Sequence, residues 1–353
     1  MKTSMIMSVA AAGALLLGAC SSGSDAPASS AAAASPGADA GPVAGGSVTV
    51  LVYDSFALPD EVIADFTATT GVDVTFEPVG DAGVLTNQIA LTAGVPLGDA
   101  VYGIDNTFAS RAIASGALAD YVSPAAVESV DGKLTAIDFS DVCFNIDLAT
   151  FGADNPAPTT LDDLLDPAYA GKVSVSNPTT SSPGLALLLA TYDTYGDGWA
   201  DYWRQLRDND LKVTAGWSDT YFVDFSAPNY GGDFPIVLSY ASSPPSEVID
   251  GEPTTAALLD TCFRQTEYAG VLEGAENPEA AKAVVDWLLS DTVQSALPGS
   301  MYVYPISPTA TIPAEWEQFA PLSDNPVVMD PADIDAHRDR LLREWTEIVI
   351  EGR

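Results

Sequence analysis

Three short runs decide how this chain folds: SVTVLVYDS (47–55), VDVTFEPV (72–79) and DAVYGIDN (99–106). Each is strand-length, rich in Val, Tyr, Phe or Thr, and ends at polar or turn-forming residues, which is how a β-strand feeds a loop. Between the first two, a helical pattern runs from Leu58 to Thr70 and stops at Gly71, placed as a C-cap. A second helix is expected across Val84 to Ala93, and a third runs on toward Gly116. Strand alternating with helix predicts an α/β domain with a largely parallel sheet. Ligands of such sheets bind beyond the carboxyl ends of the strands, which is where Tyr53 and Asp105 stand.

The middle of the chain repeats the theme. GKVSVSNP (171–178) reads as a strand, and TTSSPG (179–184) opens a helix through Leu185 to Tyr195, with Ser182 as N-cap and Pro183 at the first helical position. A helix follows from Trp199 to Leu206, then a short one in GWSDTYFVDF (216–225), then a buried-type strand, FPIVLSY (234–240), ending at Tyr240. CFRQTEYAGV (262–271) is a further strand, and NPEAAKAVVDWLLS (277–290) a helix with Asn277 as cap. Two α/β units with the chain crossing between them give a two-lobed body with a cleft. No internal repeat is visible.

The N-terminus says where such a body works. Lys2 precedes an apolar run through Ala19 that is too short to span a bilayer and has the form of an export leader. Leu17, Gly18, Ala19 and Cys20 resemble the lipobox of bacterial lipoproteins, in which the cysteine is acylated and becomes the mature N-terminus. The residues after it, small, polar and proline-dotted, cannot bury enough apolar area to offset their ordering entropy. The expected plan is a signal peptide over 1–19, a disordered tether over 20–46 after lipidated Cys20, and a folded body leashed to the outer face of the cell membrane.

Composition narrows the partners. Lys and Arg number 13 against 49 Asp and Glu, a formal charge of −36. Nucleic acid is excluded, because phosphate neutralisation needs clustered basic side chains. No basic residue occurs from Val48 to Ser110 or from Val213 to Phe263, stretches that suit a cationic ligand. Four basic residues, Arg338, Arg340, Arg343 and Arg353, crowd the C-terminus, on an expected terminal helix. Two cysteines remain after Cys20. In an exported protein Cys143 and Cys262 suggest a disulfide, with two buried free thiols as the alternative. The single histidine, His337, lies in a polar stretch and is read as a surface residue rather than a base. Without a second histidine or a cysteine cluster no metal site is expected. With no G-x-S-x-G either, no catalytic residue is assigned and no enzyme is expected, an extracytoplasmic hydrolase being the alternative.

SNPTTSSPGLALLL (176–189), GWSDTY (216–221) and IVLSYASSP (236–244), taken with YDSF (53–56), GIDN (103–106) and MYVYPI (301–306), resemble the substrate-binding subunit of thiamine ABC transporters. The likeness runs from Val48 to Glu344 and Trp345. It implies the type II periplasmic-binding-protein fold, α/β, with two lobes, each a mixed sheet flanked by helices, and the ligand in the cleft between them. Lobe 1 is expected to comprise 47–142 and 262–305, lobe 2 143–261, and a C-terminal helical segment 306–353. The resemblance places Tyr53, Asp105, Ser181, Trp217, Tyr240 and Tyr302 around thiamine or a thiamine phosphate. Aromatic faces would hold the thiazolium cation, Asp105 the aminopyrimidine and Ser181 the hydroxyethyl arm. A phosphorylated arm would meet the helix N-terminus beside Ser181. An ABC permease with its ATPase is the implied partner, with no cofactor and a monomeric chain. The same fold also carries ferric iron and polyamines. Three of the family's aromatic positions differ: a tryptophan is Tyr302 here, a tyrosine six positions past Tyr240 is Ser246, and a tryptophan near Asp60 is absent. One wall of the pocket is expected to be thinner at Ser246, and Tyr302 keeps an aromatic face of smaller area.

Overall fold

The computed structural model describes residues 46–353; the expected leader, Cys20 and the tether through residue 45 lie outside the described residues. Strand Gly46–Val52 shows why the first run folds as it does. Val48, Val50 and Val52 face one apolar core, with Phe66, Val72 and Trp287, while Leu51 faces another, with Leu85 and Ile104. Alternate side chains of a strand point to opposite faces, so one segment serves two cores. Helix Asp60–Thr70 ends at Gly71, left-handed at φ 73°, as its glycine required. The next helix, Ala82–Leu91, begins two residues before the expected start because the Asp81 side chain accepts from the Ala82 N–H at 2.6 Å.

The strands join one eleven-stranded sheet. Its continuous path runs Val72–Pro78, Gly46–Val52, Ala100–Asp105, Phe263–Val271, Leu134–Asp147, Ile236–Tyr240, Val173–Ser176 and Lys212–Thr214. The first three are mutually parallel, as are the last three. The two between them are not. Phe263–Val271 runs antiparallel to both its neighbours, and Leu134–Asp147 antiparallel to Ile236–Tyr240. The sheet is therefore mixed rather than largely parallel, because the chain leaves the first half along one long strand and returns along its neighbour.

Helix Ser182–Tyr195 is buried along its first ten residues and fills the larger core. The C-terminal helix Pro331–Trp345 packs there too, with Trp345 edge-on to Trp203 at 5.6 Å. His337 is half-buried, its ring 5.1 Å from Tyr192. Among the described residues no helix is long and apolar enough to cross a membrane.

Two features brace the crossing strands. The Cys143 and Cys262 sulfurs are bonded, with Cα atoms 4.3 Å apart and a sequence separation of 119. Beside them Arg264 grips the buried Asp141 carboxylate with two nitrogens, and the Ser323 N–H adds a third donor at 2.8 Å. Closing so long a loop stabilises the folded chain by about 4 to 5 kcal/mol in the chain-entropy limit, commonly less in practice. Thiol labelling of the exported, unreduced protein under denaturing conditions is expected to leave Cys143 and Cys262 unmodified. Reductant should then lower the unfolding midpoint.

Gly103 answers a separate need. Its backbone sits at φ +103°, and a Cβ there would lie 2.0 Å from Cδ1 of Tyr53. The ring of Tyr53 rests where any other residue at 103 would put its side chain. Gly103→Ala is therefore expected to displace Tyr53 and to cost about 1 to 3 kcal/mol in denaturant unfolding.

Candidate functional site

Strand ends converge as the α/β pattern requires. Tyr53 follows Gly46–Val52, Tyr240 closes Ile236–Tyr240, and helix Ser182–Tyr195 begins shortly after Val173–Ser176. Between them opens a cleft of about 140 Å³. Tyr53, Trp217, Tyr240 and Tyr302 all line it, four of the six residues expected to surround a ligand. The charged groups in its lining are Asp54, Asp81 and Glu267, all acidic; no Lys, Arg or His contributes.

Trp217 is fixed on three sides. Its ring stacks on Tyr221 at 5.1 Å and 13°, and Phe222 meets it edge-on at 5.1 Å. Its indole N–H donates to Ser239 Oγ at 3.0 Å. Tyr240 stands across from it at 5.9 Å, tilted by 58°. The short wide helical turn Asp219–Asp224 delivers Tyr221 and Phe222 to this cluster, which explains the aromatic content of the GWSDTYF motif. Tyr302 reaches the cleft from a left-handed backbone, φ 53°, with its carbonyl held by the Ser242 hydroxyl at 2.6 Å. A tyrosine adopts that conformation rarely, so its surroundings impose it. Ser246 also lines the cleft, where its hydroxyl bonds the Ser243 carbonyl at 2.7 Å.

Asp105 and Ser181 are not brought to the cleft. Asp105 is wholly buried, and its carboxylate is occupied by the Thr107 N–H and hydroxyl, the Phe108 N–H and the Ser182 hydroxyl. Burial pushes its pKa up to about 6 against these donors. The residue the sequence offered to an aminopyrimidine instead ties one half of the sheet to the helix of the other. Ser181 is equally buried and makes no hydrogen bond of ordinary geometry through its hydroxyl. Ser181, not Ser182, is the N-cap residue; Ser182 has joined the helix with its hydroxyl turned to Asp105.

Asp81 and Glu267 were missed by the sequence reading. Asp81 caps its own helix and also accepts the N–H of Trp217 at 2.9 Å and that of Ser182 at 3.3 Å. The Ser182 N–H at the start of that helix, in the region set aside for a phosphate, is thus already engaged by a carboxylate. Burial raises the Asp81 pKa, opposed by these same donors. Gly83 N–H to the Thr180 carbonyl at 3.1 Å and Ser218 to Asp54 at 3.3 Å continue this seam across the cleft. Glu267 forms part of the cleft lining, accepting from the Tyr53 hydroxyl at 3.1 Å and the Gln265 amide at 2.9 Å. A glutamate inside the otherwise uncharged run TEYAGV was the available signal. Burial and the nearby carboxylates hold the Tyr53 and Tyr240 hydroxyls well above their ordinary range, so both remain neutral donors.

The chain is similar over almost all of its folded part to proteins of one kind. The thiamine-binding periplasmic protein of Escherichia coli (strain K12) is 28% identical over 314 residues, covering 86% of this chain and 93% of that protein. Its counterpart in Brucella suis biovar 1 is 27% identical over 315 residues, covering 85% and 91%. Among solved structures a periplasmic thiamin binding protein superposes with a TM-score of 0.77 at 26% identity, covering 86% of this chain and 96% of that one. Iron-bound HitA from Pseudomonas aeruginosa superposes at 0.68 and 21% identity, covering 85% and 99%, a likeness of fold. These neighbours share the two-lobed type II periplasmic-binding-protein architecture. The model of the bacterial extracellular solute-binding proteins matches residues 99–322, and with a ligand-sized cleft at the strand ends of a mixed α/β sheet the chain belongs to that family.

Proposed function

We propose that this solute-binding protein captures thiamine, or a thiamine phosphate, outside the cytoplasm and passes it to an ABC-type permease. Family and fold are those of solute-binding proteins rather than of enzymes, which supports a role in extracytoplasmic import. The observation that carries the ligand is the cleft itself, in which flat aromatic walls surround a charge that is wholly negative. Thiamine presents the complement: a permanently cationic thiazolium, a flat aminopyrimidine and a short hydroxylated arm. Each Trp or Tyr face attracts such a cation by roughly 0.5 to 2 kcal/mol, more as water leaves. With one face of Trp217 backed by Tyr221, the other is the natural platform for the ring. The names of the relatives support the same ligand. A lipid on Cys20 would hold the monomeric body at the membrane, within reach of the permease.

Asp105 and Ser181 act in this reading as supports, Asp105 by fixing Ser182 and Ser181 through its carbonyl, which accepts the Leu185 N–H at 3.0 Å at the start of the helix. Glu267 and Asp81 take the direct polar roles.

Calorimetric titration of the folded body tests the assignment. Trp217→Ala is expected to weaken thiamine binding by about 2 to 4 kcal/mol, roughly 30- to 1,000-fold in Kd, and Trp217→Phe by less. Absence of thiamine binding in the parent below the millimolar range would sink the ligand. An alanine variant within about twofold of the parent would return Trp217 to a packing role.

A further inference from the structure

Three acidic residues lie in one row across the sheet. Glu267 is the register partner of Asp105 on one neighbouring strand and of Asp138 on the other. Asp105 and Asp138 are 0% exposed and Glu267 only 6%. Residues directly opposite on adjacent strands share a face, and like charges so placed repel. The three are satisfied differently. Asp105 has its four donors. Asp138 accepts from the Tyr102 hydroxyl through Oδ2, while its Oδ1 is buried with no partner. Glu267 has Tyr53 and Gln265 and looks onto the cleft. Among the described residues none of the three has a cation. Three places along the same strands, Arg264 neutralises Asp141. The sheet thus provides a cation for one buried carboxylate and none for the row that reaches the cleft at Glu267.

Two facing carboxylates in a dry interior do not both keep their charge. A proton on Asp138 Oδ1 removes one charge and gives that orphaned oxygen a hydrogen to donate. We propose that Asp138 and Glu267 share a single proton while the cleft is empty and release it to solvent when a cation seats against Glu267, which makes this pair the charge reader of the site. The inference rests on the reading of the cleft as a cation site. The groups that face Glu267 agree with it. Tyr53, Tyr102 and Tyr240 converge from three other strands or their ends, all held neutral by burial and by the carboxylates, and Gln265 is uncharged. The groups left to titrate are the acids, and burial raises both members of the pair, with Asp105 adding to the effect on Glu267. A bound cation supplies the missing countercharge and favours the doubly ionised pair, so by linkage affinity falls as pH falls.

Stability carries the opposite sign. Between the ordinary carboxylate range and its raised titration, the folded pair binds more protons than the unfolded chain. Its contribution therefore falls as pH rises through that window. Glu267→Gln removes the shared proton and the desolvated charge together while keeping the shape. Thiamine titrated near neutral pH, in buffers of different ionisation enthalpy, should show proton release by the parent. The Gln variant should release none and bind at least tenfold more weakly. Its empty form should match or exceed the parent in denaturant stability above neutral pH, an outcome that a purely structural role would reverse. Thiamine binding without proton release in the parent, or undiminished release in the variant, overturns the inference and leaves the thiamine reading standing. If thiamine does not bind, that reading fails and spermidine takes its place as probe. Its binding with proton release, lost in Glu267→Gln, supports the pair as charge reader, and its failure to bind or to release a proton overturns it.

Discussion

The antiparallel pairing of Leu134–Asp147 with Phe263–Val271 is the constraint on which the rest of the molecule depends. These strands are the two crossings between the halves of the sheet, and each position along them has a separate task. Near one end the Cys143–Cys262 bond and the Arg264–Asp141 pair fix the register. Three places further on, that register sets Glu267 opposite Asp138. A slip of one residue would turn every side chain to the other face, taking Glu267 out of the cleft. The brace and the cleft-lining Glu267 are thus parts of one ladder, and the placement of the second follows from the rigidity of the first.

Burying uncompensated acids opposes folding, and the chain offsets that cost elsewhere. Helix Ser182–Tyr195 sinks five leucine and alanine side chains in succession, from Leu185 to Leu189, into the larger core, and Trp203 and Trp345 pack beside it. A fully buried leucine is worth about 1.5 to 3 kcal/mol relative to exposure, so a few such residues match the penalty of one partly satisfied carboxyl. The acidic row fits the proposal that a ligand cation supplies its missing countercharge. Sites that bind are commonly sites that destabilise the empty protein.

Much of this was legible in the sequence, where local rules govern. Gly71 as a helix stop, the strand endings at Tyr53 and Tyr240, and Pro278 just inside its helix follow from backbone sterics and periodicity. The aromatic residues Trp217, Tyr240 and Tyr302 came from the resemblance of their short motifs to the thiamine-transporter subunit, and all three line the cleft. The acids were not. Asp105 stands at a strand end beside a cleft, yet donors two and three residues on capture it locally, and nothing in its neighbourhood of sequence announces Ser182 as the fourth. Glu267 lies inside a strand, and its importance comes from Asp105, 162 positions earlier, and Asp138, 129 earlier, which only the register brings alongside. The misplaced N-cap has the same origin: a distant carboxylate draws the hydroxyl of Ser182 away from its own helix.

Asp81 shows how these distant couplings converge on recognition. Its carboxylate starts one helix, touches the first turn of another, and takes the N–H of the tryptophan that forms the aromatic platform. The position of Trp217 is therefore set from both halves of the sheet, by Ser239 on its own side and Asp81 on the other. A ring held this way can report on the approach of the halves, since opening the seam would cost it the Asp81 contact while sparing the Ser239 bond and the Tyr221 stack. Platform, acid and seam thus share one geometry. In the proposed reading, a flat cation between Trp217 and Tyr240 would supply the missing countercharge at Glu267 and bridge the two sides that Asp81 already draws together.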